Sequence, residues 1–181
     1  MNILVFTEGT IIMHKSAIGF SRKEIVRQSA KEGIQREAKA LFYKSKFDVP
    51  VELNSVHDYG NYVPNGRAVE KLKLWNKQGA KIYYLSSRRV ESEIKAVREV
   101  LKKYDFPDSQ NLLFRKHDQE YADVAEMLKP DILIEDDCES IGGEAQMTYP
   151  HIRPEIKSKI KSLVVEEFGG IDHLPDNINK L

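Results

Sequence analysis

Five short apolar runs, separated mostly by longer stretches with helical periodicity, constrain this chain more than any other feature. Such runs need no polar alternation when both faces of a strand are buried, which is the condition of a parallel sheet covered by helices on both sides. The predicted strands are Asn2 to Phe6, Lys81 to Leu85, Leu112 to Arg115, Asp131 to Glu135 and Ser162 to Glu166. Between the second and third, Val90, Ile94, Val97, Leu101 and Tyr104 recur at helical spacing and form a stripe suited to packing on a sheet. Before the second strand, Pro64 is placed to open a helix whose buried face carries Val69, Leu72 and Trp75, and Gly79 is placed to end it in the left-handed region. Val124, Ala125 and Leu128 predict another helix, which Pro130 ends.

The stretch from Ile11 to Val63 breaks this rhythm, since a crossover between parallel strands needs only one helix. It reads as an insertion. Ile25, Ile34, Ala38, Leu41 and Phe42 suggest a helix or helical pair from about Arg22 to Lys44, followed by a polar, turn-rich run from Asp48 to Tyr62.

At 181 residues the chain suits one domain carrying such an insertion. Its 28 basic side chains balance 28 acidic ones, so the overall field favours neither nucleic acid nor an anionic membrane as partner. Cys138 is the single cysteine; a disulfide framework is excluded, and a reducing, cytoplasmic setting is expected. The first apolar run is too short for a signal peptide and lacks a basic flank, and no run approaches membrane-spanning length.

In a doubly wound sheet the carboxyl ends of the strands open into one crevice, so residues just past different strands converge. Four sequence segments occupy such positions: Phe6-Thr7-Glu8-Gly9-Thr10, Ser86-Ser87-Arg88, Lys116, and Asp136-Asp137. Together and in this order they resemble the motifs of the haloacid dehalogenase-like (HAD) phosphohydrolases, whose first motif, Asp-x-Asp-Gly-Thr, follows a buried strand and supplies an aspartate nucleophile. The resemblance implies a HAD-like α/β fold, a doubly wound parallel sheet with core segments 1–10 and 64–181 and a small cap at 11–63. It also implies roles. Gly9, Thr10, Ser86, Ser87, Arg88 and Lys116 would surround a phosphate, Glu8 would stand where the general acid stands, and Asp136 and Asp137 would hold magnesium.

One residue departs from the pattern. Phe6 takes the nucleophile's place, and an aromatic ring neither attacks phosphorus nor ligates a hard cation, which takes oxygen ligands. Thr7 does not replace it, because adjacent strand residues point to opposite faces. Magnesium is therefore expected to bind weakly and largely through water.

Other constellations are poor. The five histidines, His14, His57, His117, His151 and His173, include no pair four residues apart, so zinc is not expected. Cys138 beside two carboxylates is expected to be inert, since neighbouring negative charge raises a thiol pKa. Three readings remain: a protein that binds a phosphate-bearing small molecule without aspartyl-phosphate catalysis, a magnesium-dependent phosphohydrolase using Glu8 or metal-bound water, and a non-enzymatic interaction module.

Overall fold

The computed structural model describes residues 1–32, 51–116 and 118–181. Five parallel strands form the main sheet: β1 (Asn2–Phe6), β4 (Lys81–Ser86), β5 (Leu112–Phe114), β6 (Ile132–Asp136) and β7 (Lys161–Val165), in the order β5-β4-β1-β6-β7. Each lies within a residue of its predicted bounds at either end. β1 pairs with β4 in the register Asn2 to Lys81 and with β6 in the register Ile3 to Ile132. The chain builds outward from β1 to β5, then returns to add β6 and β7 on the other side. β1 and β6 thus flank the switch in winding direction, beyond whose carboxyl ends such sheets hold their ligands.

The sheet separates two apolar clusters by the period of two along its strands. Ile3, Val5, Ile82, Tyr84, Ile132 and Ile134 face one side, where they meet helices α2 (Ala68–Lys77) and α3 (Glu91–Lys103) through Leu72, Trp75, Val97 and Leu101. Leu4, Leu85 and Leu133 face the other, against helix α4 (Tyr121–Leu128) through Tyr121, Val124 and Ala125. Phe6, in phase with Leu4, packs on this second cluster. α4 begins in a capping box of Glu120 and Asp123, and ends with Lys129 in the left-handed region ahead of Pro130.

Pro64 does not open a helix. It pairs with Ile12 in a two-residue antiparallel ladder of β2 (Ile12–Met13) and β3 (Val63–Pro64), an edge position that a residue without an N–H tolerates. α2 starts only after Gly66, whose φ is +55°. Gly79 does follow α2 with φ +97°.

Helix α1 (Arg22–Glu32) begins where the sequence predicts. Ile34, Ala38, Leu41 and Phe42 lie outside the described residues. The tail beyond β7 returns along α2: the Trp75 indole donates to the Pro175 carbonyl at 2.9 Å, Lys71 Nζ to the Leu174 carbonyl at 2.8 Å, and Ile171, Ile178 and Leu181 are buried. A short helix, α5 (Pro154–Lys157), precedes β7. No helix among the described residues is long and apolar enough to cross a membrane.

Candidate functional site

A cavity of about 120 Å³ opens at the carboxyl ends of the strands, with Phe6, Glu8, Gly9, Ser87, Arg88 and Asp136 in its lining. The turn after β1 shapes one part of it. The Thr7 carbonyl accepts from the N–H groups of both Ile11 and Ile12, and Gly9 adopts φ +84°. A β-carbon at Gly9 would meet Asp136 Oδ2 at 3.0 Å and the Glu167 side chain at 3.3 Å, so both the dihedral and the space call for glycine. Thr7 itself is buried outside the lining, its hydroxyl 3.1 Å from the Leu85 carbonyl.

Glu8 is held from several directions. Ser86 Oγ donates to Oε1 at 2.6 Å, the Ser87 N–H to Oε2 at 3.0 Å, and the Thr7 hydroxyl to Oε2 at 2.7 Å. Arg88 Nε lies 3.8 Å from Oε1. The Arg88 guanidinium also donates to Ser87 Oγ and to the Tyr59 hydroxyl, and lies 4.4 Å over the Tyr59 ring. Strand-end donors and a buried cation therefore converge on one carboxylate.

Phe6 meets Tyr121 edge to face, with centroids 5.1 Å apart. On Tyr121 lies Arg115, its guanidinium 3.7 Å from the ring and bonded to the Tyr121 hydroxyl at 3.0 Å. Arg115 is buried, whereas Lys116 is exposed, outside the cavity lining, with its N–H bonded to the Gln119 side chain. The cation that β5 turns inward is Arg115.

The acidic pair divides in the same way. Asp136 lines the cavity, accepting from Thr10 Oγ1 at 2.7 Å and the Cys138 N–H at 3.0 Å. Burial, aided by the charges of Glu135 and Asp137, raises its pKa to about 6. Asp137 is outside the lining; it accepts from the Glu167 N–H at 3.0 Å and stands 3.6 Å from Arg22. Glu135 faces away and anchors the N–H groups of Thr148 and Tyr149. Magnesium asks for near-octahedral oxygen coordination. Here Phe6 offers no oxygen, both Asp136 oxygens are engaged, and the described residues contain no group of three or more His, Cys, Asp or Glu suited to a metal. Of the two carboxylates predicted to hold magnesium, Asp136 alone reaches the cavity, so most of the coordination would fall to water.

Sequence reasoning passed over several lining residues. Glu167, two residues past β7, bonds to the Ser140 N–H and hydroxyl, and burial followed by Asp136 raises its pKa to about 7. The acidic Glu166-Glu167 pair at a strand end was a legible signal. His14 and Tyr59 carry none, since each arrives from an element whose placement no local pattern reveals; Tyr121 extends the predicted stripe of Val124, Ala125 and Leu128 by one turn. His14 is buried between Tyr62 and Phe168, bonds to Ser16 Oγ through Nδ1 at 2.9 Å, and has no hydrogen-bond partner at Nε2; burial lowers its pKa to about 4. Burial, followed by the charge of Asp136, raises the Cys138 thiol pKa, the direction the sequence predicts.

No family model matches the chain, and no curated protein matches it. Among solved structures, the class C acid phosphatase from Bacillus anthracis aligns with a TM-score of 0.53 at 14% identity, covering 93% of this chain and 67% of that one. Its tungstate-bound form aligns with a TM-score of 0.52 at 14% identity, covering 93% and 68%. The fold is that of these two structures, a HAD-like mixed α/β architecture around a five-stranded parallel sheet.

Proposed function

We propose that this protein uses the HAD-like phosphatase fold to bind a phosphate-bearing small molecule in the crevice, without aspartyl-phosphate catalysis. The observation that carries this reading is the convergence of Ser86 Oγ, the Ser87 N–H and Arg88 on a single anionic group. Convergent donors at strand ends are the ordinary construction of an oxyanion site. Arg88 supplies the charge that the sequence assigned in part to Lys116. Phe6, read as standing in the nucleophile's place, removes the covalent route, and its partner Tyr121 fills the space beside it with a second ring. The inserted residues 11–63 act as the cap: His14, Val56, Tyr59 and Tyr62 from this stretch line the cavity. Balanced charge and a lone cysteine support a small-molecule ligand in a reducing cytoplasm over nucleic acid or a membrane.

The test is to titrate inorganic phosphate by calorimetry and to assay a generic aryl phosphate with magnesium present. Binding without turnover is expected. Magnesium-dependent turnover that disappears in Glu8→Gln would return the protein to the hydrolases.

A further inference from the structure

The donors that a phosphate needs in this crevice are already taken by Glu8. Its carboxylate, like a phosphate, presents more than one anionic oxygen from a single centre, and such groups compete for the same convergent donors. Ser86 Oγ and the Ser87 N–H each meet a different carboxylate oxygen, at 2.6 and 3.0 Å, with Arg88 beside them.

Resting on the phosphate-binding reading above, we propose that Glu8 is an intramolecular occupant of the anion cradle, which must swing out before a phosphate ester enters. Two features suit it to leaving. The turn that carries it is closed by backbone bonds, from Ile11 and Ile12 to Thr7 and from Gly9 to the Ile12 carbonyl, so the turn does not depend on the Glu8 side chain. Glu8 also lines the cavity, so rotation about its side-chain bonds moves the carboxylate into open volume.

Such an occupant filters ligands. A site open for only a fraction of the time binds more weakly in proportion to that fraction. A phosphate dianion gains more from Arg88 than a carboxylate monoanion does, and so displaces Glu8 where acetate does not. Glu8 thereby makes the crevice selective for phosphate over carboxylate ligands.

The experiment uses the full chain as native protein, Glu8→Ala and Glu8→Gln, with circular dichroism to establish the fold. Inorganic phosphate and acetate are titrated by calorimetry, and the thermal midpoint is followed with each. Glu8→Ala is expected to bind phosphate at least tenfold more tightly than native protein and to gain thermal stability from acetate, which native protein does not. Glu8→Gln, which keeps the shape and loses the charge, is expected to fall between; it alone decides the matter if Glu8→Ala fails to fold. Equal phosphate affinity in native protein and variants, or weaker affinity in the variants, overturns the role of Glu8 and leaves the phosphate-binding reading standing. Phosphate binding to none of the three overturns that reading instead.

Discussion

Two walls of one crevice are held by different forces. On one, Phe6, Tyr121 and Arg115 form a stack of edge-to-face and cation–π contacts. On the other, Glu8, Ser86, Ser87 and Arg88 form a network of charged hydrogen bonds. Packing of the first kind is filled by shape and has no vacancy that a soluble anion can mimic. The second is a set of donors around one negative group, and another negative group can replace it. On the phosphate-binding proposal, the ligand would enter along the ionic wall and leave the aromatic wall in place.

The largest expected effect breaks the ionic wall. Glu8→Ala leaves Arg88 buried without its carboxylate and should cost about 3 kcal/mol of stability in phosphate-free buffer. Urea unfolding measures this, and a loss below about 1 kcal/mol would show that the other groups around Arg88, Tyr59, Ser87 and Glu93 among them, satisfy it without Glu8. Next comes the aromatic wall. Phe6→Ala should cost about 2 kcal/mol, the value of a half-buried ring and its edge-to-face partner. In contrast with Glu8→Ala, the loss should be insensitive to added phosphate; recovery with phosphate would mean that the two walls are coupled.

A third prediction concerns the carboxylates and the imidazole that line the same cavity. Asp136 and Glu167 hold protons more tightly folded than unfolded, with pKa values of about 6 and 7 against ordinary values of 3.8 and 4.5. The stability they contribute is therefore present at low pH and is lost as pH rises through 6 and 7. His14 acts oppositely: its folded pKa of about 4 lies below the ordinary 6.5, so it withdraws stability as pH falls through 6.5. Between pH 8 and 6.5 the gain from the carboxylates outweighs the first part of the His14 loss, and the thermal midpoint should rise on acidification, by about 0.5 kcal/mol in stability. Glu167→Gln should flatten that rise, and a midpoint that falls steadily from pH 8 to 6.5 would contradict the assignment.

The smallest effect is expected at Lys116. Its exposed side chain lies outside both walls, so Lys116→Ala should change stability by less than about 0.5 kcal/mol and leave phosphate affinity unchanged in calorimetry. A marked loss of affinity would bring Lys116 into the crevice in the bound state and weaken the case for Arg88.

The sheet was legible because its strands are buried on both faces: Ile3-Leu4-Val5 and Ile132-Leu133-Ile134 are continuous apolar runs that nothing else explains. Pro64 misled because proline suits both the first turn of a helix and an edge strand, and only the partner at Ile12 distinguishes them. At the site, Glu8, Gly9, Ser87, Arg88 and Asp136 followed from their positions at strand ends. Arg115 and Lys116 did not separate, since after a strand of three residues the phase that turns one inward and the other outward is not fixed by pattern. Asp136 and Asp137 were adjacent in sequence but address different neighbours, Thr10 and Arg22, for the same reason of alternation.

The return of the chain along α2 has a spectroscopic consequence. Trp75 is the only tryptophan, is buried, gives its indole hydrogen to Pro175, and is outside the cavity lining. Intrinsic tryptophan emission in this protein therefore watches the docking of residues 171–181 on the fold. Detaching that segment should shift the emission to longer wavelength by wetting the indole, while a ligand filling the crevice should leave it nearly silent.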